Sequence, residues 1–235
     1  MILLKPDLAK ILILPGLLFL FMLQFIGCDE NGGITVPSGV SELTVSVKSD
    51  DAALDEPAAI VITEAKALIM DVEFEKLSNG KDELHQRGPF VLNFNTNGTI
   101  KEMGTQYIIR DNYTKIKFQL HKPEETETPS DPEFKEGTGT SQRYSFIIKG
   151  TYNGSSFVYK SKQAANLVIN FASVENINLK KSNITVLFNK LKWFKNGSAD
   201  VNPNDPQYVN LIDTNIKNSF SKAFRDDDKN GQPDN

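Results

Sequence analysis

A dense run of oxygen-bearing side chains lies at the C-terminus, Asp226-Asp227-Asp228-Lys229-Asn230-Gly231-Gln232-Pro233-Asp234. Carboxylates and an amide at alternate positions around a glycine suit a hard cation. About six to eight oxygens must converge on one such ion, and the glycine lets the backbone turn sharply enough to bring them round. A second oxygen-rich stretch, Asp200-Val201-Asn202-Pro203-Asn204-Asp205, lacks the glycine and reads as a turn that caps a following helix. Other reactive groups are sparse: one cysteine, Cys28, and two histidines, His85 and His121. Both histidines have charged or polar neighbours and are expected to face solvent. Two distant imidazoles without clustered thiols form no zinc pattern, and they give a serine nucleophile little support. Asp71, Glu73 and Glu75 recur at period two. That spacing describes a wet sheet face as well as it describes the carboxylate pair of a hydrolase. Trp193 is the one tryptophan and adjoins Phe194 between Lys192 and Lys195. The pair is a candidate platform for sugar rings or a protein partner, with packing at a strand end as the competing reading.

The C-terminal run resembles the calcium loops of EF-hands and of dockerin or thrombospondin-type repeats, with Asp226, Asp228, Asn230, Gly231 and Asp234 at loop positions one, three, five, six and nine. The resemblance implies side-chain ligands from Asp226, Asp228, Asn230 and Asp234 and a backbone carbonyl from Gln232. The bidentate glutamate of position twelve would fall beyond Asn235. The implied calcium site is therefore weak, with a dissociation constant of about 10⁻⁴ to 10⁻³ M, and structural. Its role would be to neutralise clustered aspartates beside the C-terminal end of a helix, where the helix dipole disfavours negative charge.

At the other end, Lys5 and Lys10 precede an uncharged run from Ile11 to Gly27, the order of an export signal. Phe25-Ile26-Gly27-Cys28 resembles the lipobox of bacterial lipoproteins, with Phe25 where that family usually has leucine. The resemblance implies a cleaved signal peptide over residues 1–27, a covalent lipid on Cys28 and attachment to a membrane. Acyl chains contribute about 0.8 kcal/mol per buried methylene, so two or more chains hold firmly. An uncleaved membrane anchor and a plain secreted protein are the alternatives, and Pro15-Gly16 interrupts the apolar run. Asp29 leaves the choice between inner and outer membrane open.

The elements that must position these groups follow from periodicity. Residues 28–41 are Gly-, Asn-, Ser- and Pro-rich and read as a lipidated tether. Residues 42–205 alternate apolar and polar side chains: Leu43, Val45 and Val47; Leu68, Met70, Val72 and Phe74; Phe90, Leu92 and Phe94; Ile116, Phe118 and Leu120; Leu167, Ile169 and Phe171; Ile184, Val186 and Phe188. Asn153-Gly154 between two such runs predicts a tight hairpin. The stretch from Lys122 to Gly139 has little to bury and reads as a solvated loop, with an acidic binding patch as the functional alternative. Val209, Ile212, Ile216, Phe220, Ala223 and Phe224 recur at steps of three and four, which predicts a helix over 206–225 ahead of an acidic tail over 226–235. The fold class expected is mainly β: an antiparallel β-sandwich, Ig-like or related, with one C-terminal amphipathic helix. A closed barrel is the alternative.

A chain of 235 residues with 39% hydrophobic and 24% charged side chains can bury a core, and a net charge of −4 argues against nucleic acid as a partner. The single cysteine excludes an intramolecular disulfide. Lipobox, tether, β-rich body, terminal helix and polar tail together resemble envelope lipoproteins of Gram-negative bacteria. That resemblance implies a folded domain in the periplasm or at the cell surface, and it carries over no catalytic residues. The function expected is a non-enzymatic binding or structural module that engages the membrane through its lipid, and a glycan or envelope protein through its surface. The alternative is a carboxylate-dependent hydrolase acting on an envelope or extracellular polymer.

Overall fold

The computed structural model describes residues 37–50, 59–137 and 142–234. Cys28, the residues expected to form a signal peptide and most of those expected to form a tether lie outside them. Among the described residues twelve strands are present: β1 (Val40–Ser49), β2 (Ile60–Lys76), β3 (Asp82–Asn93), β4 (Lys101–Ile109), β5 (Asp111–Leu120), β6 (Phe146–Tyr152), β7 (Ser155–Ser161), β8 (Ala165–Ile177), β9 (Lys181–Phe188), the short β10 (Lys195–Asn196) and β11 (Ala199–Asp200), and β12 (Phe220–Arg225). The helix α1 (Val209–Ser219) precedes the last strand. Among the described residues no helix is long and apolar enough to cross a membrane.

The strands form a four-stranded sheet in the order β12-β9-β1-β4 and a six-stranded sheet built around the long β2. One edge of β2 pairs with β3, and the other pairs first with β6 and then with β5, which continue to β7 and β8 respectively. All these pairings are antiparallel except β1 with β9, which is parallel. The sheets face each other across one apolar core. Leu43, Val45, Val47, Ile184, Val186 and Phe188 supply one side, and Phe74, Ile116, Phe146, Ile148, Leu167 and Ile169 the other. Burying such side chains stabilises by roughly 25 cal/mol per Å² of apolar surface, the main favourable term in a fold with no disulfide to assist it. The Asn153-Gly154 turn joins β6 to β7 with both residues at positive φ, 48° and 79°, as the hairpin prediction requires.

Three expectations change. Strict alternation puts Leu68, Met70, Val72 and Phe74 on one face of β2, but the register shifts between Ile69 and Asp71. This bulge exchanges the faces: Ala65, Ala67 and Ile69 point inward before it, Val72 and Phe74 after it. Leu68 therefore points outward, and with Phe134, Tyr144 and Ile147 it builds a second, smaller apolar cluster. That cluster accounts for the second change. The stretch from Lys122 to Gly139 is not simply solvated, because Phe134 in the 3₁₀ turn Pro132–Phe134 is fully buried on the outer face of the six-stranded sheet.

The third change concerns the end of the helix. Residues 206–208 form a 3₁₀ turn, α1 stops at Ser219, and Phe220–Arg225 is the edge strand β12. The spacing of Phe220, Ala223 and Phe224 fits a helix. The free edge of β9 decides otherwise, because its backbone groups pair with residues 220–225 from Phe188 back to Ile184.

Candidate metal centre

The parallel pair β1/β9 and the edge strand β12 set up the C-terminal loop. On β9, Ile184 and Val186 enter the core, so Asn183 and Thr185 face outward, as do Ser46 and Lys48 on β1. The tail then returns across this face and buries it: Ser46, Asn183 and Thr185 are all nearly inaccessible. Ser46 donates to Asn183 Oδ1 (2.8 Å), and Asn183 Nδ2 donates to Thr185 Oγ1 (3.0 Å) and to the Asp226 carbonyl (2.9 Å). Buried polar groups are tolerable only when satisfied in this way.

Asp226 sits at the centre with 0% exposure. Its Oδ2 accepts from the Thr185 hydroxyl (2.6 Å) and the Gly231 N–H (3.0 Å), and its Oδ1 accepts from the Asn230 N–H (2.9 Å). A carboxylate oxygen has two lone pairs, so Oδ1 retains accepting capacity. Lys229 at φ 55° and Gly231 at φ 82° give the backbone its tight curl. Positive φ is uncommon for lysine and easy for glycine. Asp228 Oδ1 accepts from the Asn230 N–H (3.1 Å) and Oδ2 from the Asn230 amide (2.7 Å), while Asn230 Oδ1 accepts from the Gln232 N–H (2.7 Å). Asp234 closes the loop: its Oδ2 accepts from the Asp227 N–H (2.6 Å), and its own N–H donates to the Arg225 carbonyl (2.9 Å).

Asp226, Asp228 and Asp234 each bring one carboxylate oxygen within 4.8 Å of the others. Opposed ligands about 2.4 Å from a calcium ion stand about 4.8 Å apart, so one ion fits among them. Among the described residues Asp226 and Asp228 have no lysine or arginine at ion-pair distance, whereas Asp227 and Asp234 approach Arg225 at 3.4 and 4.0 Å. The residues present can thus hold a divalent cation. Of the remaining ligands implied by the sequence, Asn230 lies in the loop with its side chain spent on positioning Asp228 and Gln232, and Gln232 is exposed. The helix-dipole role for the cation does not apply, because β12 separates the loop from α1. Ser46, Asn183 and Thr185 were invisible as site residues, since polar side chains alternating with Ile184 and Val186 look like any wet strand face.

The other candidates fare differently. Trp193 is 0% exposed, packed among Phe94, Phe146 and Phe188 with its indole N–H donating to Ser219 Oγ (2.8 Å). Phe194 packs against Phe157 and Tyr159. Neither forms an exposed platform, because the 3₁₀ turn before Trp193 and helix α1 seal that end of the core. His85 and His121 are buried instead of solvent-facing. His85 stands edge-on to Phe74 with no hydrogen-bond partner on either ring nitrogen, and burial pushes its pKa down to about 4. His121 pairs with Glu127 at 2.6 Å. Asp71, Glu73 and Glu75 do line the outer face after the bulge. Lys115 and Lys117 hold the Glu75 carboxyl below the usual range, the opposite of what a general acid needs. Asp205 caps the turn before α1 by accepting from the Gln207 N–H (3.0 Å), as its sequence context predicts.

No family model and no curated protein matches the sequence. A solved structure, MbnP from Methylosinus trichosporium, is similar at 10% identity over 72% of this chain and 85% of that chain, with a TM-score of 0.42. At that distance nothing about ligand or activity passes from one protein to the other.

Proposed function

We propose that this chain is a non-enzymatic envelope module, lipid-anchored at Cys28, whose C-terminal loop takes up one calcium ion and so fastens the last strand and the tail to the four-stranded sheet. The metal reading is carried by the convergence of Asp226, Asp228 and Asp234 within 4.8 Å on a loop already curled for it. Calcium suits the set better than a soft metal does, because every donor is an oxygen. Bound there, the ion would offset the two aspartates that lack a basic partner, while their backbone donors hold them in place. The anchoring half of the reading rests on Phe25-Ile26-Gly27-Cys28.

Calorimetry with calcium on the full chain in nonionic detergent tests the metal. Heat corresponding to a dissociation constant of about 10⁻⁴ to 10⁻³ M is expected, and it should vanish in Asp228→Asn. Asp228 is the variant of choice because it is exposed, whereas changing buried Asp226 would also strip partners from Thr185 and two backbone N–H groups. No heat in the unaltered chain defeats the calcium reading. For the anchor, Cys28→Ser should abolish uptake of labelled fatty acid in a bacterial host, and labelling that survives the change defeats it.

A further inference from the structure

Where the edge strands β12 and β8 come together, a groove of about 840 Å³ opens beside the tail. Residues 231–234, Asn170 and Ser173 of the β8 strand, and the apolar Ala223 and Phe224 are among its lining. Its volume falls in the range of about 300 to 1,000 Å³ common to small-ligand sites.

Several polar groups here are unspent. Among the described residues Lys48 and Lys222 line the groove without an ion-pair partner, and the Asn170 side chain is exposed in it. The two ammonium groups share the groove with the carboxyls of Asp50, Glu175 and Asp234. Asp234 is engaged by the Asp227 N–H, and burial pushes the Glu175 carboxyl above its usual range. Neither sign of charge therefore dominates, and nothing selects a strongly ionic ligand. Donors and acceptors side by side, with apolar surface between them, match a molecule whose hydroxyls both donate and accept and whose C–H faces are apolar.

We propose that this groove binds a neutral oligosaccharide, with Lys48, Lys222 and Asn170 donating to its hydroxyls and the carboxyls of Asp50 and Glu175 accepting from them. The site lies at the β8/β12 corner, far in sequence from the Trp193–Phe194 pair that the sequence offered for this role.

Saturation-transfer NMR on the full chain in nonionic detergent, with maltotetraose, cellotetraose and chitotetraose as neutral probes and tetragalacturonate as the acidic one, tests the assignment. At least one neutral tetrasaccharide should show transfer. Asn170→Ala and Lys222→Ala should each weaken it about tenfold, the loss of one well-placed hydrogen bond. Both side chains are exposed, and an unchanged melting temperature verifies that each variant is folded. Silence from all three neutral sugars overturns the proposal, as does binding of tetragalacturonate alone or affinity unaltered in both variants. The probes are read without reference to calcium, so a blank here leaves the metal centre standing and a blank calorimetric titration leaves the groove standing.

Discussion

Two acid-rich segments each cross the outer face of a sheet, residues 122–137 on the six-stranded one and residues 226–234 on the four-stranded one, and they handle their charge in opposite ways. In the first, nearly buried Lys66 contacts Asp131 at 2.5 Å and also Glu133, which accepts from Lys149 as well at 2.8 Å. Lys160 engages Glu136, and Arg143 donates to the Pro123 carbonyl at 2.7 Å. Phe134 then pins the segment to Leu68 and Ile147. In the tail, backbone N–H groups and a threonine hydroxyl organise Asp226 and Asp228, and among the described residues no basic side chain stands at ion-pair distance from them. A run of carboxylates becomes a metal candidate where neutral donors gather the oxygens and leave the charge uncompensated. Where lysines have already compensated it, the same composition is a structural clasp.

The contrast is most easily broken at Phe134. Phe134→Ala empties the apolar anchor of the clasp and should cost about 3 to 5 kcal/mol in denaturant unfolding, as large-to-small core changes do. A loss within the error of the measurement would mean that the ion pairs alone hold the segment. Next in size is Lys66→Ala, which removes the cation that Asp131 and Glu133 share and leaves Glu133 with Lys149 alone. Breaking a buried pair costs more than breaking an exposed one, and both carboxylates here are partly wetted, so about 2 kcal/mol is expected.

The one lysine of the tail, Lys229, pairs with Glu102 and not with Asp226 or Asp228, so the corresponding perturbation is the ion itself. At about 10 mM calcium, a site with the proposed affinity stabilises by about 1.4 to 2.7 kcal/mol, which should appear as a rise in melting temperature of the unaltered chain and not of Asp228→Asn. The clasp offers a control: calcium should stabilise Lys66→Ala by the same increment as the unaltered chain and no more. A larger increment would show that the two segments are less distinct than their geometry suggests.

The smallest effect is in pH. Hydrogen bonds from Lys149 and Lys66 hold the Glu133 carboxyl down to about 2 in the folded chain. A lowered folded pKa contributes stability that is complete above the unfolded value, near 4.5, and is lost as pH falls towards about 2. Glu133 is partly exposed, so solvent screening reduces the effect to about 1 kcal/mol. His85 titrates in an adjoining window. Its folded pKa is lowered to about 4 from 6.5, so stability drains as pH falls between those values. Unfolding midpoints measured from neutral pH down to acid in a His85→Phe background should be flat across the histidine window and fall below it. Adding Lys149→Ala, which removes the larger of the two hydrogen bonds, should make the lower limb shallower, and a limb unchanged by that substitution would remove Glu133 as its source.

Much of the fold was legible because its signals are local. Period-two runs such as Leu43, Val45 and Val47 need only a neighbouring sheet to become strands, and Asn153-Gly154 sets the hairpin through its own backbone preference. The oxygen ladder from Asp226 to Asp234 was legible for the same reason, since a loop that hydrogen-bonds within itself records its contacts at fixed spacing. What tertiary structure decided depended on partners distant in the chain. Met70 and Asp71 carry no mark of the bulge that turns Leu68 outward to meet Phe134. Phe220 to Phe224 satisfies helical spacing until the open edge of β9 claims it. Lys66, Asn183 and Thr185 look like solvent-facing side chains until a loop or a tail folds over them. Local backbone preference and periodicity are written residue by residue. Burial of a polar group is set by whatever segment arrives to cover it, and that segment lies 41 to 67 residues away along the chain in the contacts of Thr185 with Asp226 and of Lys66 with Glu133.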